Sequence, residues 1–488
     1  MPFDPTTSTL VSLRDAIATK KISAGEAAAA YLARIASINP SLNAYREVLA
    51  EKAAARAAQV DAGRVRGPLA GVPIAIKDCM CYAEGTTCAG SNMLRGHRSP
   101  FTATAVKKLE DAGAVILGTT NMDEFAMGSS TETCAYGKVS NPWDVTRVPG
   151  GSSGGASAAM AADLAAAALG SDTGGSIRQP AAVTGTVGLK PTYGRVSRWG
   201  LIAYASSLDQ IGTFTRSVGD AALLAKIMFG ADPLDGTTAQ MGVPADLDQV
   251  ESAPGRMRIG VARQFTQDGA NEPSVQRAYE EALAVYKAAG AEVVEVDLPH
   301  TKYGIPCYYL VATAEASSNL ARYTGMHYGH RAKDAGDLAD LYRKSRAEGF
   351  GAEVKRRIML GTHALSSGYY DAYYTRALKV RRLIRNDFDT AFASCDAILC
   401  PTTTGPAFRI GEKTGDPLTM YMNDVYTVTA NLAGLPAISL PAGFSAAEGG
   451  KLPVGVQLIG QAFDEARLLR IARVHERATG HHLVRPVL

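Results

Sequence analysis

One stretch of this chain constrains its fold more than any other: PGGSSGGASAAMAADLAAAALGSDTGGSIRQP, from Pro149 to Pro180, sets seven glycines and five serines around a long alanine-rich run. A flexible linker would not carry GASAAMAAD and LAAAALGSD, an alanine helix and a small-residue strand, between its glycines. The stretch therefore reads as buried structure, with the loop GGSSGG before the helix and the loop GSDTGGS after the strand. A phosphate-binding loop would lead into Gly-Lys-Ser/Thr at the helix start. Here Gly154 and Gly155 lead into Ala156 with no lysine nearby.

With 488 residues the chain exceeds the usual size of one hydrophobic core, so one large domain with lobes, or two to three domains, is expected. Its 46% apolar and 20% charged residues, with no run near the length of a membrane span, describe a soluble globular protein that does not engage a membrane. The N-terminus MPFDPTTSTLVSLRDAIATKK has no basic region followed by an apolar segment, which points to the cytoplasm. Seven cysteines, an odd number scattered through the chain, read as reduced thiols and not as a disulfide framework. A net charge of +3 demands no nucleic-acid footprint, and the basic runs EVKRRI and KVRRLIR read as solvated helix faces.

Along the chain, Ser23 followed by Glu26 forms a capping-box pattern ahead of an alanine-rich helix expected to stop before Pro40, within a helical segment covering residues 1–62. From residue 63 to 255, β-branched apolar runs (GVPIAIK, AVILGTT, AAAALGSD) alternate with helical stretches, which is α/β layering. Residues 256–395 read as strand, helix and strand followed by a long helical insertion. Residues 396–488 return to strands (DAILCPT, AISLPAGF, PVGVQLIG) and close with a helix from Asp464 to Ala478. One large mixed α/β core with a helical insertion is the expected architecture.

Glycine-rich loops let successive backbone N–H groups converge on one point, as an oxyanion site requires, and serine supplies a nucleophile. A base is harder to find. No histidine lies between Pro100 and Pro299, and His300 and His363 read as surface or packing residues. Lys77, at the end of the apolar run GVPIAIK, could be desolvated toward its neutral form. An unperturbed lysine with pKa about 10.4 is neutral roughly once in 2,500 at pH 7, a gap of about 4.6 kcal/mol. Burial can move a lysine pKa by about 3 to 5, so the demand can be met. Alone, Lys77 would read as a solvated lysine at a strand end.

GVPIAIKD, GGSSGG and GSDTGGSIRQPA, in this order and at matching spacing, resemble the amidase signature family, whose members use a Ser-Ser-Lys triad. The resemblance covers nearly the whole chain and implies a large mixed β-sheet covered by helices on both faces. It implies Ser176 as the acylated nucleophile, Ser152 as the bridging serine after a cis peptide bond, and Lys77 as the neutral base. Ser153 stands one position off the bridging place. The backbone N–H groups of Thr173, Gly174, Gly175 and Ser176 would form the oxyanion hole.

Five further stretches, among them TNMDEFAMGSSTE, EVKRRIMLGTHALSSGYYDAYY and MYMNDVYTVTANLAGLPAISLPAG, resemble one branch of that family: the glutamine-hydrolysing subunits of tRNA-dependent amidotransferases. That resemblance implies glutamine as substrate and B and C subunits as partners. It also implies tRNA contacted mainly through the partner subunit, which uses ATP and magnesium, with no cofactor or metal in this chain. It points to Arg357 for the glutamine carboxylate and Asp424 for its ammonium, with Tyr308 or Tyr309, Gly128 and Ser129 beside them. Whether Arg356 or Arg357 faces inward is open at this point, since neighbours on a helix point about 100° apart. Cys79, Cys81 and Cys134 depart from the family pattern; Cys79-x-Cys81 lacks the further ligands of a metal site. Two other readings compete: a stand-alone amidase for small aliphatic or aryl amides, and a non-catalytic protein retaining the fold.

Overall fold

Residues 148–192 are buried without a break in the computed structural model, which describes residues 3–266, 269, 271–447 and 450–488. The alanine run forms the helix Gly154–Ala161, every residue of which is buried. Small side chains are required there: a Cβ on Gly155 would stand 2.4 Å from the Asn121 carbonyl and 2.5 Å from that of Ala44. A larger residue would push the helix off the sheet beneath it.

That sheet has eleven strands. In chain order they are β1 Tyr45–Val48, β2 Pro73–Lys77, β3 Val115–Thr120, β4 Ala167–Asp172, β5 Val187–Lys190, β6 Gln210–Thr215, β7 Arg258–Ala262, β8 Glu292–Val296, β9 Ala397–Pro401, β10 Ala437–Ala447 and β11 Gly450–Gly460. They lie side by side as β1-β3-β2-β4-β6-β5-β10-β11-β9-β7-β8. β2 is parallel to both β3 and β4, β7 is parallel to β8 and β9, and the pairs in between are antiparallel. The alternation of side chains along β9 shows how the layers are filled. Ala397 and Leu399 join one apolar cluster, while Ile398 and Cys400 join the other. Likewise a Cβ on Gly455 would meet Ala182 on one face, and one on Gly460 would meet Leu468 on the opposite face. The sheet is thus covered by helices on both sides, as expected.

Two local expectations are corrected. The helix of the Ser23–Glu26 capping box runs from Ala24 to Leu42 and includes Pro40. A proline in a last turn removes one hydrogen bond and leaves the earlier turns intact, and Asn43 ends the helix at φ 55°. The segment 1–62 also contains β1, which pairs antiparallel with β3 at the sheet edge. Its four residues are too few for a periodic signal. Among the described residues, no helix is long and apolar enough to cross a membrane.

The insertion after β8 places helices Gly304–Asn319 and Ala352–Ala364 together. Val354, Arg357, Gly361 and Ala364 form the buried stripe of the second. Gly361 sets their separation, because a Cβ there would lie 1.8 Å from the Thr313 carbonyl oxygen. In a helix, alanine is favoured over glycine by up to about 1 kcal/mol, but overpacking costs about 1 to 3 kcal/mol. Gly361→Ala should therefore lower the urea midpoint; an unchanged or raised midpoint would contradict this close approach.

Candidate active site

β2 and β4 run parallel as neighbours, so their C-terminal ends emerge on the same edge of the sheet, the edge at which open α/β sheets bind ligands. β2 ends at Lys77, and β4 ends at Asp172 and enters the loop that carries Ser176. Lys77 is fully buried, with its Nζ 2.7 Å from Ser152 Oγ, 2.9 Å from Ser153 Oγ and 2.9 Å from Ser171 Oγ. No carboxylate among the described residues pairs with it. Burial lowers the pKa of its amine, while Cys79, Asp123, Asp172 and Asp209 raise it more weakly.

Three serines meet the amine, but they are not equivalent. Ser153 donates its hydroxyl to the Ser171 carbonyl at 3.1 Å, and Ser171 receives the Cys79 thiol at 3.6 Å. Ser152 Oγ makes no other hydrogen bond to the described residues. The Gly151–Ser152 peptide is cis, as the resemblance implied. Ser176 is 8% exposed and makes no hydrogen bond to the described residues, so the contact between Ser152 and Ser176 is not closed here.

The loop after β4 holds an unusual set of donors. None of the backbone N–H groups of Thr173, Gly174, Gly175 and Ser176 donates to a described protein group, although more than nine-tenths of buried N–H groups in proteins are paired. The loop is fixed from its flanks. The Asp172 carboxylate accepts from the N–H groups of Ile177 and Arg178 and pairs with the Arg178 guanidinium at 3.1 Å, both side chains being inaccessible. Thr173 Oγ1 donates to Asp209 at 2.7 Å, and Thr427 Oγ1 donates to the Gly174 carbonyl at 2.6 Å. A Cβ on Gly174 would strike the Tyr308 ring at 2.6 Å, which places that tyrosine directly over the loop.

Arg357 is buried and Arg356 exposed, so Arg357 is the one of the two that turns inward, although both line the cavity described below. The Arg357 guanidinium lies 5.2 Å from the centre of the Tyr309 ring and 5.3 Å from that of Tyr421. Asp424 is buried, accepts a hydrogen bond of 2.6 Å from Ser129, and has its pKa pushed up to about 7 by burial against the lowering effects of Ser129 and Arg357. Gly128, Ser129, Arg357 and Tyr421 line a cavity of about 270 Å³. Gly128 packs on the Asp123 carboxylate, which accepts the N–H groups of Ser130 and Thr131 and so shapes the loop carrying Ser129.

Of the residues anticipated from sequence, Lys77 and Ser152 are hydrogen bonded, Gly128, Ser129 and Arg357 line the cavity, Asp424 is bonded to Ser129, and Tyr308 lies over Gly174; the cavity lining does not include Ser176. His300 instead pairs with Asp387, and His363 packs on Tyr369. Cys79 is buried beside Ser171, Cys81 is partly exposed, and Cys134 Sγ contacts Asn121. Sequence reading missed Ser171, Thr427, Tyr204, Tyr421 and Glu353. Only Glu353 had a visible signal, its position four residues before Arg357 on a helix.

The family model described as Amidase matches residues 26–469. The chain belongs to the amidase family. The A subunit of the glutamyl-tRNA(Gln) amidotransferase from Carboxydothermus hydrogenoformans is 54% identical over 480 residues, covering 98% of each chain. Among solved structures, the A subunit of the glutamyl-tRNA(Gln) amidotransferase from Thermotoga maritima aligns with TM-score 0.79 at 41% identity, covering 97% of this chain and 95% of that one. The peptide amidase of Stenotrophomonas maltophilia aligns with TM-score 0.80 at 32% identity, covering 97% of each.

The state of the Lys77 amine can be read from stability. Where the unfolded chain binds a proton that the fold excludes, stability rises with pH up to the unfolded pKa. That window lies below about 10.4, the pKa of a solvated lysine. Lys77→Met has no such proton. Its stability relative to the wild type should therefore be greatest near neutral pH and decline as pH rises toward about 9.5 in urea unfolding. A difference independent of pH would show that the amine stays charged.

Proposed function

We propose that this chain is the glutamine-hydrolysing component of a tRNA-dependent amidotransferase, its A subunit, releasing ammonia for a partner subunit that amidates Glu-tRNA(Gln) or Asp-tRNA(Asn). The observation that carries this reading is the presence of two buried groups of opposite charge, Arg357 and Asp424, near a loop whose N–H groups find no partner among the described residues. An α-amino acid needs both charges, a cation for its carboxylate and an anion for its ammonium. A small apolar amide needs neither. The names of the relatives support the same assignment, and the subunit designation supports partner chains, which we take to be B and C subunits. In that assembly ATP, magnesium and the tRNA belong to the partner.

In this reading Ser176 Oγ attacks the side-chain amide carbon of glutamine. Its proton moves to Ser152 Oγ as the Ser152 proton moves to the neutral Lys77 amine. The Ser176 hydroxyl turns toward Ser152 for this step, since substrate-free contacts of this kind tighten only on binding. The oxyanion is held by the N–H groups of Thr173, Gly174, Gly175 and Ser176, each such donor being worth about 100- to 1,000-fold in comparable sites. The ammonium of Lys77 then returns a proton through Ser152 to the leaving nitrogen, so that ammonia departs and the acyl group stays on Ser176. Water attacks the ester with its proton taken by the same relay, and glutamate leaves.

Glutamine hydrolysis should be slow for the chain alone and rise with partner subunits, ATP and misacylated tRNA. Ser176→Ala should reduce it to background, a loss on the order of 10^6, with an unchanged melting temperature. Rapid hydrolysis of hydrophobic amides by the isolated chain would instead identify a stand-alone amidase.

Asp424 adds a pH dependence. Below about 7 its carboxyl is protonated and no longer offers a charge to the substrate ammonium. kcat/KM for glutamine should fall about tenfold for each pH unit on that side, as expected for one essential group in the free enzyme. Asp424→Asn should be low throughout and lack the Asp424 contribution to this limb. An acid limb identical in wild type and variant would remove Asp424 from substrate binding.

A further inference from the structure

The guanidinium of Arg357 is held at two of its three nitrogens. Nε donates to Glu353 Oε1 at 2.8 Å and Nη1 donates to the Tyr204 hydroxyl at 2.8 Å. Nη2 donates to no described protein group, and Arg357 lines the cavity. The aromatic rings of Tyr204, Tyr309 and Tyr421 lie 5.6, 5.2 and 5.3 Å from the guanidinium carbon. Tyr421 is fixed by the same carboxylate, donating its hydroxyl to Glu353 Oε1 at 2.9 Å while stacking on Tyr309 at 3.8 Å.

Pairs spaced i, i+4 on a helix surface contribute little, but this one is not on the surface: the side chains are 13% and 3% exposed. Glu353 also takes Arg356, so two guanidiniums share one carboxylate.

We propose that Glu353 is a positioning residue which, with the Tyr204 hydroxyl, aims the free Nη2 edge of Arg357 into the cavity and so sets a preference for substrates bearing a carboxylate. The inference rests on reading this cavity as the glutamine pocket. Glu353 makes no hydrogen bond to Lys77, Ser152, Ser171 or the loop of Ser176, so it acts on recognition and leaves the proton relay alone.

The test compares two substrates on the full chain with its partner subunits: glutamine, and 4-aminobutanamide, which keeps the ammonium and the amide but lacks the carboxylate. Glu353→Gln should raise KM for glutamine by about 10- to 100-fold, the range for a charge-assisted hydrogen bond, with kcat within about threefold. kcat/KM for 4-aminobutanamide should not change. Tyr204→Phe, which keeps the ring and removes the acceptor, should shift the preference in the same direction. Equal losses on both substrates would mean that Glu353 only supports the fold, and an unaltered preference would mean that it does nothing; either overturns the proposal. If Glu353→Gln does not fold, an unaltered preference in Tyr204→Phe overturns it instead. Absence of glutamine hydrolysis by the wild type overturns the parent reading and this inference with it.

Discussion

A lysine amine buried among three serine hydroxyls, with no counter-ion among the described residues, is the constraint around which this molecule is arranged. Burial alone would make the site unfavourable, because an ammonium group loses its hydration there and finds no full opposite charge. The neighbouring carboxylates are occupied elsewhere. Asp172 is paired with Arg178 and Asn431, Asp123 with backbone N–H groups of its own loop, and Asp209 with Thr173 and the backbone of Ala205. Each of them acts on the amine only through space. The amine is left with hydroxyl partners, the setting in which it can serve as a base.

Holding three hydroxyls within 3 Å of one nitrogen requires backbones to approach more closely than ordinary side chains permit. The glycines and alanines between Gly150 and Gly175 meet that requirement, and their abundance is a packing condition before it is a chemical one. The helix Gly154–Ala161 sits against the sheet with little more than methyl groups, one serine and one methionine, which lets Ser152 and Ser153 reach the end of β2. Function and packing therefore rest on the same residues, and a volume increase in this stretch would disturb both.

The half of the site proposed to bind substrate is built from different parts of the chain and joined to the first half by a buried polar network. Arg178 reaches Asp172, Asn431, the Thr427 carbonyl and Gln457, linking the loop after β4 to the segment between β9 and β10 and to β11 itself. A buried ion pair contributes little net stability after desolvation, and its better-attested role is to specify one arrangement. Here that arrangement places Thr427 on the Gly174 carbonyl and Asp424 opposite Ser129. The helical insertion adds Tyr308, Tyr309 and Arg357 from the other side.

The amino-acid sequence determined the layered α/β core, because strand and helix periods are local and repeat over many residues. It also placed glycine- and serine-rich loops and a lysine at a strand end, and the resemblance of those motifs to the amidase signature family implied the triad Lys77, Ser152 and Ser176. Pro40 inside a helix and the short β1 escaped it, since a last turn tolerates a proline and four residues carry no period. The pocket was less legible. The inward turn of Arg357 and not Arg356 follows from the stripe that Gly361 presses against Thr313, a contact between two helices. Ser171, Thr427 and Tyr204 act through neighbours 94, 253 and 153 positions away along the chain. Such long-range contacts leave no local pattern, and only the tertiary structure could decide them.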